Sequence, residues 1–229
     1  MPKNLLPSPV DVVSTHEQRS KLRRSPLLSL CLTVTLLFSF GLAIPQSVFA
    51  DKSAASQHWV GTWSTSPVEE GEAFEGQTLR QIVRISIGGD QVRFRFSNRF
   101  GAVPLVIDSA SIGIQDIGAA VVPGSLRELT FGGGPSVAIA AGAKVWSDPV
   151  ELTVPDEADL AVSSYIAENN TGGSTMHTSA WQTSYISPLG DFTGDEVMEV
   201  MPGDEGTPMS WFWLTGVDVW AQRNTFAVA

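Results

Sequence analysis

Cysteine is almost absent from this chain of 229 residues. The single cysteine, Cys31, lies within an apolar N-terminal run, and residues 51–229 contain none. Disulfides and zinc sites built from cysteine are therefore excluded for that part of the chain. The residue before Cys31 is a large one, Leu30, where lipoprotein processing requires a small one, so we expect no lipid anchor.

Basic residues are scarce as well. Residues 51–229 carry nine basic and 22 acidic side chains, which gives this part of the chain a formal charge of −13. A protein of this charge repels nucleic acid and anionic membrane surfaces, and the charge favours solubility outside the cell. We therefore expect no nucleic-acid partner, and no membrane partner once the N-terminal segment has been removed.

The usual catalytic signatures are missing. The chain contains no Gly-x-Ser-x-Gly, Ser-x-x-Lys or His-Glu-x-x-His motif. After residue 50 it has two histidines, His58 and His177, and Ser174 and Ser179 lie near the second in sequence. Closeness in sequence does not make a nucleophile, because the serine needs a base within hydrogen-bond reach. The sequence predicts no catalytic residue, metal or cofactor, while a glycosidase pair among the 22 acids stays open.

The first 50 residues have the organisation of a secretory signal peptide. Basic residues at 21–24 precede an apolar stretch at 27–44, and Val48 and Ala50 stand at positions compatible with cleavage. We predict a helical signal peptide over residues 1–50, cleaved near Ala50, and therefore an exported protein found outside the cell. The apolar run is long enough that an uncleaved membrane anchor is the alternative interpretation.

Short strands and turns account for nearly all of residues 51–222. About ten apolar runs, alternating or continuous, are separated by Gly, Pro, Asn and Asp, and no convincing helix lies among them. This pattern predicts an all-β fold, an antiparallel β-sandwich of the jelly-roll kind. The acidic segment 190–206 is expected to be a solvated loop, with calcium binding as the alternative.

The clearest strand pattern is the segment "LRQIVRISIGGDQVRFRFSNRFG". Apolar residues occupy alternate positions on both sides of a Gly-Gly-Asp turn, namely Val83, Ile85, Ile87, Val92, Phe94 and Phe96. We predict a β-hairpin whose apolar face points inward and whose outer face carries Arg84, Arg93 and Arg95.

Two groups of side chains are candidates for ligand binding or domain docking. The first consists of Trp181, Trp211 and Trp213, because indole rings stack on sugars in exported binding modules. Trp211 and Trp213 are expected on one face of a strand that is apolar on both faces, so core or interdomain packing is the alternative. The second group consists of Arg84, Arg93 and Arg95, for which a solvated sheet face, neutralised by the many acids, is the alternative.

Several blocks between residues 59 and 229 resemble the N-terminal region of secreted bacterial SGNH hydrolases, the GDSL-type esterases and lipases. Their order and spacing agree with that family, and the main blocks are "WVGTWSTSPVE", "QTLRQIVRISIGGDQVRFRFSNRFGAVPLVIDSASIGI", "GSLRELTFGGGPSVAIAAGAKVWSDPVEL", "QTSYISPLGDFTG" and "SWFWLTGVDVWA". The resemblance covers nearly all of the chain after the predicted signal peptide.

This resemblance implies that residues 51–222 form a non-catalytic β-rich accessory domain, which in the family precedes an α/β catalytic domain. That domain opens with a strand of the type "AVVALGDSIT", whose serine is the nucleophile. The last residues here, "FAVA", resemble the start of that strand, so we interpret 223–229 as a linker and strand that stop before Gly-Asp-Ser. No catalytic residue is carried over, and ester hydrolysis is expected of full-length relatives only.

Two functions follow as expectations. In the first, the chain is the truncated accessory part of an SGNH/GDSL-type ester hydrolase, and its partner is a missing SGNH catalytic domain. In the second, it is a stand-alone exported module that binds carbohydrate or cell-wall material. A polysaccharide or an ester substrate is the expected ligand.

Overall fold

The computed structural model describes residues 56–167, 173–202 and 209–222. The strands in these ranges are β1 (Gln57–Ser64), β2 (Glu69–Gly71), β3 (Gln77–Arg84), β4 (Gly89–Ser97), β5 (Leu105–Ile107), β6 (Ser109–Ile114), β7 (Arg127–Glu128), β8 (Val137–Ile139), β9 (Lys144–Trp146), β10 (Val150–Val154), β11 (Asp159–Ile166), β12 (Ser174–His177), β13 (Ser184–Leu189), β14 (Trp211–Phe212) and β15 (Leu214–Gln222). The predicted signal peptide and segment 223–229 lie outside the described residues.

The described part of the chain contains strands and turns but no helix, which confirms the all-β prediction. Consequently, none of these residues forms a helix that is long and apolar enough to cross a membrane.

Two five-stranded antiparallel sheets dominate the fold. The first has the order β1, β15, β4, β10, with β9 also paired to β4, and the second has the order β13, β3, β11, β6, β7. Smaller antiparallel sheets are formed by β14, β12 and β2, and by β5 and β8. The predicted antiparallel pairing is therefore confirmed.

Side chains of both large sheets belong to one hydrophobic core cluster. Five of the six apolar residues predicted to face inward are buried, namely Val83, Ile85, Val92, Phe94 and Phe96. The sixth, Ile87, packs against the core but stays partly exposed. The alternation works because successive side chains of a strand point to opposite faces of its sheet.

The predicted hairpin between β3 and β4 is wrong. β3 pairs with β11 and β13 in the second sheet, whereas β4 pairs with β15, β9 and β10 in the first. Between them the chain changes sheets, and the amide of Ser86 donates to the carbonyl of Thr62 in β1. Gly88 permits the passage, because a Cβ there would collide with the carbonyl oxygen of Val154. Arg84 therefore lies in one sheet, and Arg93 and Arg95 in the other.

Arg80 is fully buried in the middle of β3. Its guanidinium donates to Ser163 Oγ at 2.8 Å, to the carbonyl of Ala119, and to the carbonyl of Asp195 at 2.7 Å. Burial lowers the pKa of Arg80 to about 10, and the nearby Asp195 opposes that effect. These hydrogen bonds attach two loops to the second sheet. The backbone of the predicted acidic loop is anchored at the carbonyl of Asp195, while the side chains of Asp191, Asp195, Glu196 and Glu199 are exposed, as expected of a solvated loop.

A glycine-rich turn beside the first sheet is held by Asp148. Its carboxylate accepts the amides of Gly133 at 2.7 Å and Gly132 at 3.0 Å and the hydroxyl of Thr130 at 2.7 Å. The bond from Gly133, followed by those from Thr130 and Gly132, lowers the pKa of Asp148. Gly132 and Gly133 have φ values of 61° and 85°, which glycine adopts without a steric penalty.

Candidate ligand-binding site

Three tryptophans surround a cavity of about 250 Å³ where the ends of β1 and β3 meet β14. The cavity, which we name the tryptophan pocket, is lined by Trp63, Arg84, Ala180, Trp181, Gln182 and Trp211. The structure therefore brings together three of the six candidates derived from the sequence, namely Arg84, Trp181 and Trp211. The other three, Arg93, Arg95 and Trp213, lie elsewhere.

Two of the indole rings are held firmly by protein contacts. Trp211 donates its Nε1 hydrogen to the carbonyl of Ile82 at 2.8 Å, and its ring meets that of Trp63 edge to face at 4.8 Å. The ring of His177 stacks on that of Trp211, with 5.6 Å between the ring centroids and 25° between the ring planes. The Nδ1 atom of His177 lies 2.8 Å from the carbonyl oxygen of Ser66. These contacts hold the rings of Trp63 and Trp211, which both line the pocket, in place.

Trp63 reaches the pocket because of an irregularity in β1. Trp59 pairs with Trp220, but the register shifts between Gly61 and Trp63, so that Trp63 lies opposite Val217. Val217 is fully buried in the core, and Trp63 packs against the same cluster. A β-bulge of this kind moves a side chain off the face that strict alternation assigns to it.

Trp181 differs from its two neighbours in its exposure. It is 83% exposed, although a large aromatic ring is normally turned inward. Its φ of 52° and the φ of 56° at Ser179 place both residues in the left-handed region, which is uncommon for residues with a side chain. The amide of Ala180 donates to the carbonyl of Met209 at 2.9 Å, which holds the loop at this point. Non-glycine residues with positive φ cluster at functional sites, so this loop, with its exposed ring, is a candidate for one.

Arg84 provides the charged group of the pocket. It is the last residue of β3, where the strand register sets it opposite Asp159 of β11. Its Nη1 atom lies 3.1 Å from Asp159 Oδ2 and its Nη2 atom 3.6 Å from Glu157 Oε2. The Arg84 side chain remains 58% exposed. Because a guanidinium has five N–H donors, these two acidic partners leave donors for a ligand.

Arg93 and Arg95 belong to a different cluster, on the first sheet. The guanidinium of Arg93 lies 4.4 Å from the ring centre of Trp59 and 4.6 Å from that of Trp146, while Arg95 lies 5.4 Å from that of Trp146. We name these four residues the arginine–tryptophan stack. Arg93 also forms an ion pair with Asp218 at 2.7 Å. Cation–π contacts and the ion pair occupy these side chains within the protein.

Arg95 likewise forms its contacts within the protein. Its Nη2 atom donates to the carbonyl of Thr215 at 2.8 Å and its Nε atom to Thr215 Oγ1 at 3.2 Å. Its paired residue on the neighbouring strand β15 is Gly216, whose missing side chain leaves room for the guanidinium. The prediction that Arg84, Arg93 and Arg95 share one face is therefore wrong, and the two on β4 hold the sheet together.

Trp213 is a core residue. It is 1% exposed, packs against Phe74 with 5.7 Å between ring centres, and belongs to the hydrophobic core. Its φ of 57° interrupts the strand between β14 and β15, so the expected common face of Trp211 and Trp213 is wrong. Trp211 faces the pocket, while Trp213 and Phe212 are buried. The packing alternative given for Trp213 is the one that the structure supports.

The histidine and serine residues discussed above do not make a Ser–His pair in the described ranges. Ser174 is fully buried, and its hydroxyl has no hydrogen-bond partner among the described residues. His177 instead contacts the carbonyl of Ser66 and the ring of Trp211. Among the described residues, no group of three or more His, Cys, Asp or Glu side chains is placed to hold a metal ion.

The sequence alone did not select Trp63 or Gln182 for the site. Trp63 lies after the bulge in β1, and no simple period predicts its direction. Gln182 lies in the loop before β13, where its only signal is its nearness to Trp181.

Comparison with known proteins gave no match, either to a protein-family model or to a curated protein.

Proposed function

We propose that this chain is a non-catalytic domain of an exported SGNH/GDSL-type ester hydrolase, and that it binds polysaccharide rather than cleaving esters. One observation carries the binding role: the tryptophan pocket presents the exposed ring of Trp181 beside two fixed indoles and a guanidinium. Aromatic walls with a few convergent polar groups are typical of ligand sites. The link to ester hydrolases rests on the sequence blocks quoted above.

The finer architecture and the location belong to the same proposal. We infer that the two five-stranded sheets pack face to face as an antiparallel β-sandwich of the jelly-roll kind, and their common core supports this arrangement. Residues 1–50 would serve as a signal peptide, and the accessory domain, residues 51–222, would then act outside the cell.

Two assays on the full chain test the proposal. We expect no hydrolysis of p-nitrophenyl acetate above a heat-denatured control, and retention of the protein on insoluble neutral polysaccharide. Hydrolysis that disappears in His177→Ala would contradict the non-catalytic assignment. Failure to bind any polysaccharide would contradict the binding role.

A stand-alone carbohydrate-binding or cell-wall-binding module is the second candidate. The observation that favours it is the exposed ring of Trp181 at the tryptophan pocket, a surface of the kind that stacks on sugars in exported binding modules. The two candidates differ in their protein partner. Co-elution with a separately produced SGNH catalytic domain supports the accessory role, whereas polysaccharide binding without co-elution supports the stand-alone module.

A further inference from the structure

We infer that the tryptophan pocket binds an uncharged pyranose ring of a polysaccharide, with Trp181 as the stacking surface and Arg84 as a hydrogen-bond donor. This inference rests on the binding role proposed above and names the class of ligand. It follows from the size and lining of the pocket and from the charges around Arg84.

The shape suits one ring of a chain. A volume of about 250 Å³ lies below the roughly 300–1,000 Å³ of pockets for drug-sized ligands, so the site holds a small unit rather than a large compact molecule. Trp181 offers an exposed ring, and the edge-to-face pair of Trp63 and Trp211 lines the same cavity. The apolar face of a pyranose ring is flat and packs on an indole, while its hydroxyl groups point outward along the ring edge.

The charges select against an anionic ring. Arg84 is faced by Asp159 and Glu157, so the three side chains together carry one excess negative charge. A uronic acid would bring a carboxylate close to both acids and would have to compete with them for the guanidinium. The formal charge of −13 on residues 51–229 adds repulsion at longer range.

A cationic ligand is disfavoured for the opposite reason. Indole rings attract cations, but Arg84 lines the same cavity and repels them. An uncharged sugar avoids both conflicts, because each hydroxyl group both donates and accepts. Within the pocket it can accept from the remaining N–H groups of Arg84 and donate to the amide oxygen of Gln182, while Asp159 holds the guanidinium in place from outside the lining.

Affinity electrophoresis of the full chain tests this inference. Native gels would contain galactomannan as the neutral polymer or polygalacturonate as the acidic one. We expect retardation by a neutral polymer and little by polygalacturonate. Trp181→Ala should weaken neutral binding at least about tenfold, a loss of about 1.4 kcal/mol, since truncated tryptophans cause the largest losses at binding sites. The matched control is Leu189→Ala, which removes another exposed apolar side chain, 78% exposed, that does not line the pocket, and it should bind as the unchanged protein does.

A charge variant tests the selectivity separately. In the double variant Glu157→Gln and Asp159→Asn, Arg84 loses both acidic partners, so binding to polygalacturonate should rise while neutral binding falls. The ratio of the two affinities should shift at least about tenfold toward the acidic polymer. An unchanged ratio would show that these carboxylates do not set the selectivity and would overturn the inference.

The outcomes separate failure of the inference from failure of the binding role. Preference of the unchanged protein for polygalacturonate, lost in Trp181→Ala, would overturn the neutral-ring inference and leave the binding role intact. Trp181-dependent capture of a proline-rich peptide or of phosphatidylcholine vesicles, without polysaccharide binding, would overturn both. Binding to neutral polymer that is equal in Trp181→Ala and the unchanged protein would show that the ligand site lies outside the tryptophan pocket.

Discussion

The arginine–tryptophan stack and the tryptophan pocket are built from the same two residue types but differ in what their surfaces can still bind. In the stack, the guanidinium of Arg93 lies between two indole rings, and Asp218 neutralises its charge. In the pocket, Trp181 is 83% exposed and Arg84 contacts acids at its edge rather than rings. The first cluster is satisfied within the protein, whereas the second has a ring face and N–H donors left for a partner.

This difference shows why residue type alone does not define a binding site. An arginine stacked on an indole removes the flat surface that a sugar would need. A stacked arginine on an antiparallel sheet also joins neighbouring strands, as Arg93 does through Asp218 of β15 and Trp146 of β9. We therefore assign the stack to stability and the pocket to binding, and each prediction below tests that division.

The largest effect on stability is expected at Trp213, which the sequence grouped with Trp181 and Trp211 as a candidate for binding. Trp213→Ala should lower the free energy of unfolding by about 3–5 kcal/mol, because it removes a fully buried aromatic ring from the core. The same change at Trp181 should alter it by no more than about 0.5 kcal/mol. Urea denaturation of the two variants measures the contrast.

Trp213→Phe provides the control for that experiment. It keeps most of the ring and removes an indole N–H that has no hydrogen-bond partner among the described residues, so the loss should stay below about 1.5 kcal/mol. Equal losses in Trp213→Ala and Trp181→Ala would contradict the assignment of one ring to the core and the other to the surface.

Arg93→Ala should have the second largest effect. The substitution removes two cation–π contacts and leaves the carboxylate of Asp218, whose side chain is 16% exposed, without its partner. We expect a loss of about 2 kcal/mol in the free energy of unfolding. Arg84→Ala is the matched comparison on the other cluster, and its exposed ion pairs should contribute less than about 1 kcal/mol. If urea denaturation showed a larger loss of unfolding free energy in Arg84→Ala than in Arg93→Ala, the assignment of the stack to stability would be contradicted.

The smallest effect concerns pH and the turn next to β9, the strand that contributes Trp146 to the stack. Hydrogen bonds from Gly133, Thr130 and Gly132 lower the pKa of Asp148, so its stabilising contribution is complete above the unfolded pKa of about 3.9 and is lost as pH falls through the lower folded value. Asp148→Asn should therefore lower Tm at neutral pH, by less than Arg93→Ala does, and the gap to the unchanged protein should narrow in acid. A gap that stays constant down to the acid transition would contradict this account.

Sequence patterns predicted strands well and their partners poorly. The alternation around Phe94 correctly assigned the buried face of β4, because alternation depends only on strand geometry. The sheet change at Ser86–Gly88 depends on contacts with Thr62 and Val154, which are distant in sequence, so a local turn signal suggested a hairpin instead. Arg80 is a basic residue that no local pattern marks as buried, yet it is fully enclosed and hydrogen-bonded to two loops.

The binding site was predictable only in part, because its geometry also depends on contacts between residues that are distant in sequence. Trp181 lies in "SAWQTSYIS", a run with a strand-like pattern, yet β13 begins only at Ser184 and Trp181 is exposed in the loop before it. Trp211 and Trp213 are two positions apart, and only the positive φ of Trp213 sends their rings to different surroundings. Arg93 contacts Trp59, and Arg95 contacts Trp146 and Thr215. These contacts depend on strand pairings that the pattern of a single sequence does not determine.

The division between the clusters is tested most directly by measuring the affinity for a neutral polymer and the unfolding free energy in the same two variants, Trp181→Ala and Arg93→Ala. The account predicts that Trp181→Ala loses binding at least about tenfold at nearly unchanged stability, and that Arg93→Ala loses about 2 kcal/mol of stability while the folded protein keeps its affinity. Loss of affinity in Arg93→Ala with retained binding in Trp181→Ala would contradict it.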